Sequence, residues 1–223
     1  MARTRTGEQI IDDGYLRADL VGATDRHPRT TVLRYVNQGG AELWDKIVAA
    51  RGRPFCAVKP PQSITTAAST SRYALAAAFY QLSAVRLDGV NGYCLVPFDA
   101  QDEPALRNPG RVEQYPTHYQ LQPGYVELLP LHSAGSVIKV DYVPHFTDLA
   151  DSSSSTFDGI NGWESYLSVY AAREMFRHDG EKQDAADCTA DLAALAVRIA
   201  GLAPKRDAFR AERVKNVRRI CRW

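Results

Sequence analysis

Two near-identical hexapeptides are the first places in this chain where residue types and spacing suggest chemistry: Asp88-Gly-Val-Asn-Gly-Tyr93 and Asp158-Gly-Ile-Asn-Gly-Trp163. An Asp followed by Asn and Gly invites a calcium loop. The helix–loop–helix calcium motif needs an oxygen ligand at its third position, and there the copies carry Val90 and Ile160, which have none. The five histidines, His27, His118, His132, His145 and His178, fall in unrelated turns and strand ends, with no HxxxH pair. Cys56, Cys94, Cys188 and Cys221 form no CxxC, so neither a zinc site nor a disulfide framework is indicated, and a reducing compartment suits them. There is no GxxxxGK[ST], no GxGxxG after a strand and no GxSxG elbow. No residue stands out as nucleophile or base, so no enzyme, metal or cofactor is expected.

With chemistry unpromising, the elements that would position these residues become informative. Thr6 precedes Gly7, Glu8 and Gln9, and Ile10, Ile11, Gly14, Tyr15, Ala18 and Val21 follow at helical spacing, which predicts a capped helix over 7–22. A second helix follows His27-Pro28, carries Val32, Val36, Gly40, Leu43 and Ile47 on one face and ends near Gly52. Gly39-Gly40 in its middle costs on the order of 1 kcal/mol per residue relative to Ala. The pair marks either a close crossing with another helix or subunit, or a tolerated weak point.

Pro54, Pro60 and Pro61 then break the helical period, and runs rich in Tyr, Val, Leu and Thr predict strands near 71–75, 80–88, 92–98, 117–122, 124–130 and 136–143, with a short helix over 100–107. The first hexapeptide lies between two such runs and reads as a hairpin turn. The second opens a run of Ile160, Trp163, Leu167, Tyr170, Ala171 and Met175 at helical spacing and reads as a helix start capped by Asp158. A last helix over 182–203 places Cys188, Leu192, Leu195, Ile199 and Leu202 on one stripe, with Pro204 as its stop. Tyr73, Tyr80, Tyr93, Tyr119, Tyr125, Tyr142, Tyr166 and Tyr170 fall on apolar faces and are expected in the core rather than in a stacking site. The predicted class is α+β: a bundle from N-terminal helices (1–52) and C-terminal helices (151–203), an inserted antiparallel β lobe (53–150) and an extended basic tail (204–223).

That tail departs most from an ordinary domain. From Lys205 to Trp223 eight Lys/Arg face only Asp207 and Glu212, a local balance of +6 that leaves −5 on the rest of a chain of net charge +1. Its apolar terminal residues, Ile220, Cys221 and Trp223, suit a segment that is buried in a partner. The N-terminus has no apolar signal-peptide core and no run reaches membrane-spanning length, so a soluble, unexported protein is expected.

Several stretches resemble a known family: RYVNQGGAELWDKIVAARG (34–52), RYALAAAF (72–79), THYQL with GYVELLP (117–130), VDYVPHFTDL (140–149), FDGINGWESYLSVYAA (157–172) and RDAFRAERV (206–214). In order and spacing they look like the head-to-tail connector adaptor (head completion) proteins of tailed bacteriophages, and Ala76 departs where relatives tend to carry Pro. The resemblance implies a virion structural protein at the head–tail junction, made and assembled in the host cytoplasm. It would form a ring, of about twelve copies, beneath the portal protein. Its neighbours would be further copies of itself, a tail or nozzle protein below and the genomic DNA in the channel, with no membrane. In that setting Arg206, Arg210, Arg213, Lys215, Arg218, Arg219 and Trp223 are the candidate portal-binding residues. The competing readings are a nucleic-acid-binding accessory protein using the same tail, and a stopper or tail-completion protein.

Overall fold

The computed structural model describes residues 4–22, 24–51, 56–89, 92–99, 101–107, 113–158 and 163–206. Two compact units emerge, one from residues up to Gly52 together with Phe146 onward through the last helix, the other from Arg53–His145. The expected α+β class holds, with helices from both ends of the chain and strands between them.

The helical unit begins with β1 (Thr4–Thr6) and α1 (Gly7–Arg17). Thr6 closes the helix as foreseen, and reciprocally: its hydroxyl accepts from the Gln9 N–H at 3.2 Å and the Gln9 side chain accepts from the Thr6 N–H at 3.2 Å. The helix stops at Arg17 rather than near residue 22, because Asp19 takes a left-handed conformation (φ 53°) and Val21 faces solvent, 73% exposed. The second helix, α2 (Arg29–Arg51), buries Val32, Val36, Leu43 and Ile47.

The chain returns with Phe146 and forms β9 (Thr156–Asp158), antiparallel to β1 with Thr6 opposite Thr156 and Thr4 opposite Asp158. Asp158 is therefore a strand residue and not a helix cap. Helix α4 (Glu164–Asp179) starts six residues later, with Trp163 at its N-cap making no side-chain cap bond. The other residues of the second hexapeptide, 159–162, lie outside the described ones. Gly180 ends this helix in the left-handed conformation (φ 79°), and α5 (Lys182–Arg206) follows. This last helix passes Pro204 by two residues. Proline removes a hydrogen bond to the preceding turn but leaves the following residues free to continue, so it does not act as the expected stop.

Helix α4 packs against α1, α2 and α5, and its Tyr166, Leu167, Val169, Ala171, Ala172 and Met175 are buried. The Gly39-Gly40 pair is what admits it. A Cβ on Gly39 would lie 2.7 Å from Cγ and 2.8 Å from Cβ of Tyr170, and one on Gly40 would lie 2.4 Å from the ring tip of Phe146. The close-crossing reading of the pair is the correct one.

In the other unit β2 (Gln62–Thr65), β8 (Val137–Pro144) and β4 (Phe79–Leu87) form a three-stranded antiparallel sheet in that order. A second sheet runs β3 (Arg72–Ala74), β7 (Tyr125–Leu129), β6 (His118–Gln122), β5 (Val96–Pro97). Ile64, Leu82, Val85, Leu87, Leu95, Val126, Leu128, Ile138 and Val140 from both sheets make one apolar cluster, so the sheets stack as a sandwich. The lobe is not wholly antiparallel as expected, since β5 runs parallel to β6. Nor is 92–98 one strand: Cys94 makes a single antiparallel bridge to Arg86, and two residues later the chain has moved to the other sheet. The turn reading of the first hexapeptide stands, with Leu87 N–H donating to Tyr93 O at 2.9 Å and Gly89 at φ 129°. The short helix is α3 (Glu103–Leu106). Ala76 also gains a reason: its N–H donates to Gln62 Oε1 at 3.0 Å, a bond that a Pro there would lack.

Two outcomes follow from this packing. Gly39→Ala should destabilise by about 1–3 kcal/mol, and by more than Gly40→Ala, because Tyr170 Cβ and Cγ are fixed to their helix whereas the Phe146 ring can turn aside. Equal melting temperatures for the two variants would contradict this. Trp163, 5% exposed, anchors the start of α4, and Trp163→Ala should cost about 3–5 kcal/mol in denaturant unfolding.

Candidate interaction site

Of the seven residues with a candidate binding role, Arg206 is the last residue of α5, and Arg210, Arg213, Lys215, Arg218, Arg219 and Trp223 lie outside the described residues. The helix that leads to them is seated by a narrow seam. Ala185, Leu192 and Ile199 are buried at intervals of seven, Cys188 and Leu195 are half-buried, and Ala190, Ala193, Ala194 and Val197 face outward. Among the large apolar residues Leu16, Val21 and Val197 of this unit are exposed, as are Tyr80, Tyr93, Val96, Tyr115 and Leu121 of the β unit. Tyr80 and Tyr93 thus leave the expected set of core tyrosines. Tyr142 and Tyr166 are buried, and Tyr73, Tyr119, Tyr125 and Tyr170 are half-buried.

Several of the buried polar groups belong to hydrogen-bonded networks. In the β unit Glu127 is fully buried and accepts from Arg107, from Gln122 Nε2 at 2.8 Å and from Ser71 Oγ at 3.3 Å, with Arg72 Nε 3.5 Å away. Its charge is met by two guanidinium groups, which is how an interior carboxylate is tolerated. His132 lies 3.1 Å from the Tyr73 hydroxyl and 3.1 Å from the Pro130 carbonyl, and burial pushes its pKa below the usual imidazole value. A neutral, doubly bonded ring of this kind is a packing residue.

In the helical unit Arg29 Nε and Nη2 grip both oxygens of Asp151 at 2.8 Å, and Nη1 meets Asp12 at 2.6 Å. These bonds hold the Asp151 carboxyl below its ordinary range and raise the Arg29 guanidinium further. Tyr166 donates to Glu42 at 2.6 Å. Asn37 stitches α2 to the returning chain in both directions, its Nδ2 donating to Leu149 O at 3.0 Å and its Oδ1 accepting from Leu149 N–H at 2.9 Å. His27, His178 and Asp179 also meet here, although 152 residues separate His27 from Asp179. A motif search along the chain cannot find that trio; only the fold brings it together.

The result is an α+β chain whose buried ionisable groups hold its helices and sheets in place. The family model described as SU10 adaptor protein matches residues 8–217, and the chain belongs to that family. It is an adaptor-type structural protein of a bacteriophage, a component of the virion in contact with other virion proteins. No curated protein matches the chain significantly. No helix among the described residues is long and apolar enough to cross a membrane.

The Asp151–Arg29 pair sets a pH dependence. A depressed carboxyl pKa contributes stability above the ordinary carboxylate range, and the contribution is lost as pH falls through the lowered value. Asp151→Asn should therefore melt below the wild type at neutral pH, and the gap should close on acidification. A gap that persists through acid would assign Asp151 a role independent of its charge.

Proposed function

We propose that this chain is the ring-forming adaptor that docks beneath the portal, extends the DNA channel and presents a platform to the next tail or nozzle component. Membership of the adaptor family supports this reading, and the observation that carries it further is the charge distribution: a body of −5 ending in nineteen residues of +6. Nineteen residues carrying +6 suit pairing with an acidic surface on a partner rather than burial against this chain's own apolar groups. Arg206, Arg210, Arg213, Lys215, Arg218 and Arg219 suit pairing with portal carboxylates, and Ile220 and Trp223 suit burial in an apolar pocket. Head-to-tail contacts between copies close into a ring when their rotation permits, about twelve in this reading, and a ring holds several tethers at once.

Truncation after Arg206 should leave the melting temperature unchanged while abolishing incorporation into heads, scored by negative-stain images of the protein mixed with its portal. Trp223→Ala should weaken docking, and Arg218→Glu with Arg219→Glu should weaken it more. Normal occupancy by the truncated protein would move the contact to one of the folded units. The same basic segment also suits duplex DNA. If it served as a nucleic-acid arm, affinity for DNA without portal would fall with salt at a logarithmic slope of roughly −5.

A further inference from the structure

His27 occupies the connection just before α2, while His178 and Asp179 are the last two residues of α4. His27 Nε2 lies 3.0 Å from Asp179 Oδ2, and His178 Nδ1 lies 3.4 Å from Oδ1 of the same carboxylate. The imidazoles meet edge to face with centroids 5.2 Å apart, and the three groups offer ligand atoms that all lie within 4.8 Å of one another. Tetrahedral zinc sets its ligand atoms roughly 3.3 Å apart, so the trio needs only a small contraction to enclose an ion. Two imidazole nitrogens and one carboxylate oxygen form a borderline donor set that suits zinc and cobalt better than calcium or magnesium.

We propose that His27, His178 and Asp179 bind a zinc-class divalent ion, which staples the connection between the first two helices to the end of α4. Two further observations point to a cation here. The site is the C-terminus of a sixteen-residue helix, where the backbone dipole favours positive charge. A cation already stands there as well: Arg26 Nε lies 3.0 Å from Asp179 Oδ1, with its own side chain 56% exposed. That guanidinium can swing into water and cede its place. The Asp179 side chain is 3% exposed and His178 is 62% exposed, so the carboxylate is held in place while the ion has a route in from solvent. The fourth position falls to water.

The test uses the full chain with Zn2+ alone in melting experiments and Co2+ alone in absorption spectra. Saturating Zn2+ should raise the melting temperature by about 5 °C, and Co2+ should develop the visible bands of four-coordinate cobalt. His178→Ala, an exposed change that leaves the fold intact, should remove both signals. Arg26→Ala should tighten Zn2+ binding by up to about fivefold, because it deletes the competing cation. If the trio is only an ion-pair knot, the wild type will give neither signal, or His178→Ala will retain them, and the proposal fails. It fails too if Arg26→Ala weakens zinc binding.

Discussion

The helical unit depends on how near α2 can come to the returning chain. At Gly39 and Gly40 the absence of two Cβ atoms lets the Tyr170 side chain and the Phe146 ring lie against the α2 backbone. The propensity lost by placing glycine mid-helix is returned as contact area between helices from opposite ends of the sequence. Asn37, within the preceding turn of the same helix, fixes the register of that meeting through both of its amide atoms. Once α2 and the returning segment are locked, α4 has a floor, and α1 and α5 can close on its remaining faces.

The ion pairs add specificity to this apolar arrangement. Arg29 joins α1, through Asp12, to the returning loop, through Asp151. Tyr166 on α4 reaches Glu42 on α2. Each bond connects segments distant in sequence, so each discriminates against bundles with the same apolar faces but a shifted register. In the β unit Glu127 does the same between strands: its partners come from β6, from the approach to β3 and from the turn after α3.

Much of this was legible in the sequence, for stated reasons. The start of α1 at Thr6, the buried face of α2 and the face of α4 follow from caps and periodicity over eleven residues or more. What escaped was short or non-local. β1 and β9 are three residues each and carry no alternation, so Asp158 read as a cap when its neighbours were about to pair with Thr4–Thr6. The four residues of β2 lay among prolines. The Glu127 network and the meeting of His27 with Asp179 join residues whose separation along the chain hides them from any spacing rule. The basic tail was legible as charge alone, since charge needs no partner to be counted.

The helical unit is discontinuous: its first two helices and its last two are separated by the whole β unit. Vectorial synthesis makes this a matter of time. When α2 leaves the ribosome only α1 is there to pack against its apolar face, and at about 5–20 residues per second the end of α5 emerges roughly 10–30 s later. The β unit, continuous from Arg53 to His145, can assemble within that interval, so the part of the protein born first is the last to be completed.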